Sequence, residues 1–479
     1  DDAAGRLAAA LSDRGIAPGD RVAMLLSNRP VFVHTLLALL RLGAIAVPVS
    51  VREAAPGLQF ILGQCAAKAI VFDDPLHDRL PAAADAPALR LRLAAGEAQA
   101  LAGDPATAPL RQAAAVAEED TAAILYTSGT TGRPKGAMLS QVGIVHSSLH
   151  YEHAMRLGPD ERSALAVPAS HVTGLIAMIT TLWHVGGALV IVPEFKAGPF
   201  LALAARERIT HTILVPAMYA LLLMQPDFDR HDLSAWRIGC YGGAPMPAST
   251  IEALAERLPG LVPMNAYGST ETTSPATVMP IGAQATHLGS VGRPVACADI
   301  LVVDDAGREL PPGQTGELLI GGPMVVRGYW DNPEATAQSF VGGYWRSGDL
   351  GAIDADGFVY VYDRKKDMIN RGGYKIWSVE VENTLAGFPG VIEAAAVGVP
   401  CPVLGERVHA FVHLDGSSPS AAQARQDPAG LAARLRDWAA QRLADYKVPE
   451  SIVLRDVPLP RNANGKLLKR EIRTWLTHG

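Results

Sequence analysis

Cysteine is scarce in this chain, positive charge is outnumbered, and no long apolar run is unbroken. The 479 residues hold 4 cysteines, Cys65, Cys240, Cys297 and Cys401, far apart and without a C-x-x-C pair. That spacing excludes a disulfide framework and a zinc knuckle and makes a reducing compartment the expectation. The 42 Lys and Arg stand against 48 Asp and Glu, a net charge of −6, so no basic field exists to neutralise nucleic-acid phosphates or hold the protein on anionic lipid. Any anionic ligand must be gripped locally. The longest uncharged stretch, 163–192, is interrupted by Pro168, His171, Gly174, His184, Gly186 and Gly187, a pattern that suits a buried helix followed by a buried strand and not a membrane span. The opening D-D-A-A-G-R-L has no initiator Met, no apolar signal region and no transit-peptide bias. The expectation is a soluble cytoplasmic protein without its natural first residues and without a transmembrane segment.

What is present is a large core. At about 150 residues per domain the length implies roughly three structural units, or two large α/β ones, and 49% hydrophobic residues can fill them. Helical periodicity over 3–11 and 31–42 alternates with short apolar runs at 22–26, 44–49, 69–72, 121–126, 188–192 and 212–215, the pattern of parallel sheets covered by helices. The Ala-rich stretch 82–117 shows little strand signal and reads as a surface excursion with a helix or two. From about 289 to 362 the chain turns to short strands with D-D-A-G and D-A-D-G turns, and the second of these lacks the further ligands of a calcium loop. The expected class is α/β: doubly wound subdomains with a β-rich part at 289–362 in an N-terminal domain, 1–363, then a smaller mobile α+β domain, 364–479.

The most informative segment is Y-T-S-G-T-T-G-R-P-K-G, residues 126–136, directly after an apolar strand. Four hydroxyls, three glycines and Lys135 within eleven residues are suited to polyphosphate: glycines let backbone N–H groups approach the oxygens, hydroxyls add donors, and the lysine adds charge. It is not a Walker loop, because Gly136 follows the lysine. Further along come Gly242-Gly243-Ala244-Pro245, Tyr267-Gly268-Ser269-Thr270-Glu271, Ser347-Gly348-Asp349-Leu350, Asp363-Arg364-Lys365-Lys366-Asp367-Met368-Ile369 and Pro460-Arg461-Asn462-Ala463-Asn464-Gly465-Lys466. The glycine pair follows a strand, the usual ligand position in an open α/β sheet. Glu271 is a hard oxygen ligand for magnesium, and Tyr267 offers a flat face for a purine.

These six segments, in this order, resemble the adenylate-forming superfamily of acyl-CoA synthetases, peptide-synthetase adenylation domains and luciferases, and the resemblance covers essentially the whole chain. It implies an AMP-forming carboxylic acid:CoA ligase using MgATP and coenzyme A on a small-molecule acid. It places the nucleotide against Thr127, Ser128, Gly129, Thr130, Thr131, Gly132 and Lys135, with the adenine near Gly243, Ala244, Pro245, Tyr267 and Gly268. Thr270 belongs to the same nucleotide surface, and Asp349 and Arg364 take the ribose. Magnesium falls to Thr130 and Glu271. Lys466 would bridge the acyl carboxylate and the α-phosphate, and His171 would stand between acyl pocket and phosphates. Gly174, Tyr241, Gly242 and Ser269 would line that pocket with His171. Lys366 is the implied hinge, and Arg371, Gly372, Gly373 and Tyr374 the implied CoA tunnel. Ser170 stands where the family usually has an aromatic residue, and Asn370 where several relatives have lysine.

The small, neutral pocket segments favour an apolar acid, a medium- or long-chain fatty acid or an aryl acid, over a dicarboxylate. Alternatives are an enzyme that loads a carrier protein and an inactive nucleotide-binding regulator. His146, His150 and His153 share a helix face at i, i+4 and i+7, and a partly exposed polar face is preferred to a metal site, because Ser147 stands where H-E-x-x-H needs glutamate.

Overall fold

In the computed structural model, which describes residues 1–127, 134–244, 246–416, 418–461 and 467–475, the alternating pattern becomes helices and parallel strands. Helix Asp2–Asp13 turns Leu7, Ala8 and Leu11 inward, and strand Arg21–Leu25 follows with its last four residues buried. Helix Pro30–Leu42 begins on a proline, whose fixed φ suits a first turn, and ends at Gly43, φ 67°, a left-handed position that glycine takes without steric cost. Strand Ile45–Pro48 returns parallel, with Ala46 opposite Val22. Around this β-α-β unit forms a six-stranded sheet in the order Leu91–Ala94, Ala69–Phe72, Arg21–Leu25, Ile45–Pro48, Thr121–Thr127, Lys135–Ser140. The last strand folds back antiparallel, which sets Thr127 opposite Lys135. Leu91–Ala94 corrects the expectation for 82–117: it pairs parallel with Ala69–Phe72. Only Leu93 of its four residues is buried, so its apolar signal is one residue deep.

A second sheet sets Ala188–Ile191, Arg162–Leu165, His211–Leu214, Ile238–Gly242 and Val262–Ser269 side by side and parallel, followed by Ser274–Val278 and Ser290–Pro294, antiparallel. Within 163–192, the π-helix Thr173–Thr180 is largely buried as expected. The strand Ala188–Ile191 is not: it ends the strand order, so one of its edges has no neighbouring strand among the described residues, and Ala188 is exposed. Ligands of open α/β sheets bind beyond the carboxyl ends of the strands. The loops after Leu165, Gly242 and Ser269 are therefore the relevant ones. Both sheets lie mainly in the first of two units, which comprises Asp1–Ala244, Ala253–Ile300 and Leu319–Arg346.

The second unit comprises Pro245–Glu252, Leu301–Leu318 and Ser347–Gly479. An antiparallel pair there sets Asp349 opposite Arg364. The D-A-D-G segment forms its tight turn on Asp354, whose Oδ1 accepts the N–H groups of Asp356 and Phe358 at 3.0 and 2.8 Å. Beyond it, Val391–Cys401 and Gly405–Leu414 pair antiparallel, and Ser451–Arg455 joins the latter in parallel. Val381 and Leu385 of helix Ser378–Ala386 and Leu431 and Leu435 of helix Pro428–Ala440 close a core with Ala396, Val408 and Val412. The whole is a mixed α/β protein with a larger N-terminal and a smaller C-terminal part. Among the described residues no helix is long and apolar enough to cross a membrane.

Candidate active site

Thr127 and Lys135 are register partners at the open end, or mouth, of an antiparallel pair, and residues 128–133 lie outside the described residues. Ser128, Gly129, Thr130, Thr131 and Gly132 are therefore not placed, nor is the metal ligand expected at Thr130. The mouth itself is well defined. Thr127 Oγ1 lies 3.5 Å from Lys135 O and 3.4 Å from Glu271 Oε1. Glu271 sits in the 3₁₀ turn Thr270–Thr272, directly after strand Val262–Ser269, and is 6% exposed. Ser269 Oγ donates to its Oε2 at 2.6 Å and Tyr329 Oη to its Oε1 at 2.9 Å. Among the described residues no Lys, Arg or His pairs with this carboxylate. Hydroxyls orient a carboxylate but leave its charge in place, and a buried, uncompensated charge is costly. A hard divalent cation, brought in with phosphate oxygens, fits this donor set.

The backbone around Glu271 is tightly determined. A Cβ on Gly242 would stand 2.4 Å from Ala266 O, and one on Gly268 2.0 Å from Ser274 O, so neither position admits a side chain. Gly243, at φ 78°, and Ala244 are exposed beyond the strand end, while Tyr241 is buried and Tyr267 half-buried. Pro245 lies outside the described residues. The turn leaves Glu271 through Thr273 at φ 49° and Ser274 at φ 93°, two left-handed residues in succession. Thr272 Oγ1, donating to Ser274 O at 2.7 Å, and Tyr151 Oη, 2.8 Å from Ser274 Oγ, hold it there. Strain of this kind persists only where the surroundings over-determine it, and it clusters at functional sites.

His171 lies after strand Arg162–Leu165, half-buried, with Nδ1 3.2 Å from Thr173 Oγ1. Loss of hydration lowers its pKa from 6.5 to about 4, so the imidazole is neutral at physiological pH. Gly174 is the second residue of the π-helix, and a Cβ there would lie 2.2 Å from Pro168 O. π-helical turns are frequent at functional sites.

In the second unit Asp349, 4% exposed, pairs with Arg364 Nε at 2.6 Å, and Ser347 Oγ accepts the Asp349 N–H at 3.0 Å. Lys366 is exposed, and its carbonyl accepts from Arg473 Nη2 at 3.3 Å. Arg371 bonds Glu450 at 2.9 Å, Gly372 and Gly373 have φ of 60° and 89°, and exposed Tyr374 stacks on Tyr446 at 4.5 Å. Lys466 lies outside the described residues.

The family model described as AMP-binding enzyme matches residues 1–330, and that described as AMP-binding enzyme C-terminal domain matches 380–466. This chain belongs to the AMP-binding enzyme family. It is 38% identical over 471 residues to a feruloyl-CoA synthase of Amycolatopsis sp., covering 98% of this chain and 91% of that one. It is 32% identical over 479 residues to a long-chain-fatty-acid–CoA ligase of Mycobacterium tuberculosis, at 98% and 91% coverage. The ATP-bound structure of MatB from Rhodopseudomonas palustris superposes with a TM-score of 0.88 at 31% identity, covering 99% of this chain and 92% of that one. By class the chain is an AMP-forming acyl-CoA ligase, an enzyme whose reactants are ATP with Mg2+, a carboxylic acid and CoA.

Within this family member the site contains a residue that the sequence analysis passed over. Tyr329 is 5% exposed, donates to Glu271, and carries Lys135 Nζ over its ring at 5.0 Å from the centroid. The strap 328–330 reaches it by lying along Lys135–Ser140: Met138 N–H donates to Gly328 O at 3.1 Å and Trp330 N–H to Gly136 O at 2.7 Å. Burial and the Glu271 charge push the phenol above its usual pKa, so it stays a donor. The histidine helix presents the partly exposed polar face expected of it, graded along its length. His150 is 4% exposed, and burial lowers its pKa to about 4. His146 is half-buried and His153 exposed. Among the described residues no three His, Cys, Asp or Glu side chains gather as a metal site.

Proposed function

We propose that this enzyme acts in the cytoplasm, converts an apolar carboxylic acid, a medium- or long-chain fatty acid or an aryl acid, to its acyl-AMP with MgATP, and then passes the acyl group to CoA. The observation that carries this reading is Glu271: a buried carboxylate held by three hydroxyls and, among the described residues, by no cation, beside the mouth formed by Thr127 and Lys135. The apolar choice of acid is supported by the neutral segments around His171, Gly174, Tyr241, Gly242 and Ser269 and by the similarity to the feruloyl and long-chain acyl ligases.

In the first half-reaction a carboxylate oxygen attacks the α-phosphorus of ATP, the P–O bond to the β-phosphate breaks, and pyrophosphate leaves. Glu271 and Thr130 would hold the magnesium that accompanies the nucleotide, which would supply charge neutralisation at the phosphates. Residues 127–132 and Lys135 grip the phosphates, Lys466 spreads the charge that builds at the α-phosphorus, and neutral His171 orients the acid without adding a second negative charge. Gly243, Ala244, Pro245, Tyr267, Gly268 and Thr270 receive the adenine side, and Asp349, with Arg364 fixed beside it, accepts the ribose hydroxyls. In the second half-reaction the CoA sulfur attacks the acyl carbon, the acyl–oxygen bond to AMP breaks, and the thiol proton leaves to solvent. That approach needs Lys466 withdrawn. A domain boundary at 363/364, with Lys366 as hinge and Arg371, Gly372, Gly373 and Tyr374 facing the pantetheine, meets the requirement.

The test is an acid panel with ATP, Mg2+ and CoA. AMP, pyrophosphate and thioester are expected in equal amounts, and ADP as the nucleotide product would overturn the reading. Lys466→Ala is expected to slow adenylate formation by about two to three orders of magnitude while supplied acyl-AMP still yields thioester. Equal damage to both steps would contradict the two-position scheme.

A further inference from the structure

The loop that carries His171 is held from outside its own sheet. Residues 26–29 follow strand Arg21–Leu25 of the six-stranded sheet, and both neighbours of Asn28 are tied to the end of the adjacent strand. The Ser27 N–H donates to Asp73 Oδ2 at 2.9 Å, and Arg29 Nη1 to Asp73 Oδ1 at 3.1 Å. Asn28 is 7% exposed and spends its whole side chain on the second sheet. Its Nδ2 donates to Val167 O at 2.9 Å and Val192 O at 3.2 Å, with Leu165 O at 3.4 Å, and its Oδ1 accepts the Ala169 N–H at 2.8 Å. Val167 and Val192 lie just past the carboxyl ends of two adjacent parallel strands, Arg162–Leu165 and Ala188–Ile191.

The chemistry of this contact allows few substitutes. A carboxamide offers two donors on one arm and an acceptor on the other, in one plane. An aliphatic side chain would leave several buried peptide groups unpaired, and a carboxylate would set a second acceptor against the carbonyls. Between Ala169 and His171 there is no slack. His171 N–H donates to Pro168 O at 3.1 Å, Leu175 N–H donates to His171 O at 2.8 Å, and Gly174 packs on Pro168 with no room for a Cβ. The position of the Asn28 amide is thus passed through one tight turn to the imidazole.

We propose that Asn28 is a positioning residue for the acid half-reaction: anchored on the first sheet, it fixes the height of the 165–169 segment of the second and so places His171 against the incoming carboxylate. This rests on the reading of the 168–174 loop as a wall of the acid site. The test compares steady-state constants for acid and for ATP, followed by pyrophosphate release, in three variants. Asn28→Ala should raise KM for the acid and lower kcat/KM for the acid by about tenfold to a hundredfold, the cost of a reactant misplaced by a fraction of its own size, with KM for ATP within about twofold. His171→Ala should also raise KM for the acid. Ser163→Ala is the control: it removes a buried bond to His211 Nδ1, 2.8 Å long, near the start of strand Arg162–Leu165, and should lower Tm while leaving both KM values in place. If His171→Ala raises KM for the acid and Asn28→Ala does not, or if Asn28→Ala alters acid and ATP equally, the positioning role is refuted and the reading of the loop stands. If His171→Ala leaves KM for the acid unchanged, the reading of the loop fails and the positioning role with it. Should Asn28→Ala not fold, hydrogen exchange on the unaltered protein decides: the Ala169 amide should exchange as slowly as the amides of strand Arg162–Leu165, and fast exchange there would overturn the proposal.

Discussion

Two carboxylates, one in each unit, are buried to nearly the same depth and held in opposite ways. Glu271, 6% exposed, receives hydroxyls from Ser269, Thr127 and Tyr329. Asp349, 4% exposed, lies 2.6 Å from the guanidinium of Arg364. A hydroxyl orients a negative charge, whereas a guanidinium also cancels it. In the proposed reading Glu271, which meets no cation among the described residues, is left for magnesium, and Asp349 for neutral donors such as ribose hydroxyls. The contrast predicts opposite responses to the same chemical change. Glu271→Gln should cut adenylate formation by about a hundredfold to a thousandfold and leave Tm unchanged or raised, because an uncompensated charge leaves the interior. Asp349→Asn should lower Tm, since the ion pair with Arg364 is lost, and raise KM for ATP by about tenfold, as loss of a charge-assisted bond does. Its magnesium requirement should not move. Calorimetry with pyrophosphate release reads both, and a Glu271→Gln protein that melts early would break the contrast.

A smaller change sharpens the same contrast from the Glu271 side. Tyr329→Phe keeps the ring under Lys135 and against Phe340, 5.7 Å away, and deletes only the hydroxyl. A hydrogen bond to a charged group is worth about 1.5 to 3 kcal/mol, so the magnesium concentration for half-maximal adenylation should rise by about tenfold. Magnesium dependence equal to the unaltered enzyme would make the hydroxyl a structural contact only.

Much of this was legible in the residue string, for a physical reason. A polyphosphate grip needs backbone N–H groups and hydroxyls from one continuous loop, so the glycines, threonines and lysine of the proposed one stand side by side at 126–136. Strand–helix alternation is equally local, and it placed the sheets. What stayed hidden are contacts made across space by single ordinary residues. Tyr329 lies 58 positions from Glu271, and Asn28 lies 141 from Ala169. Neither stands in a periodic or glycine-rich setting, and an isolated Asn before Arg-Pro reads as a turn. Spacing likewise grouped His146, His150 and His153 on one face but not which way the face turned. The buried side of helix Gln141–Met155 includes Ser147, Ser148 and His150, polar residues that composition assigns to solvent.

The smallest effect concerns protons. The first unit also holds three imidazoles neutral. Burial lowers His150 and His171 to about 4 and His211 to about 3, against 6.5 for an exposed imidazole. Well above pH 6.5 these groups are neutral in folded and unfolded chains alike and contribute no pH dependence. Below it the unfolded chain binds protons that the folded one refuses, so stability is lost as pH falls from about 6.5 toward about 4. Activity should not follow that curve. His171 carries no proton between pH 5.5 and 8, so His171→Gln should change the height of the adenylation profile in that window and leave its midpoints in place. His150→Leu removes one of the proton acceptors without touching the proposed acid site, so its Tm should fall less than that of the unaltered protein between pH 7 and pH 5. An identical acid slope in both proteins would mean that His150 is protonated in the folded state, and the buried face of its helix would then hold a charge after all.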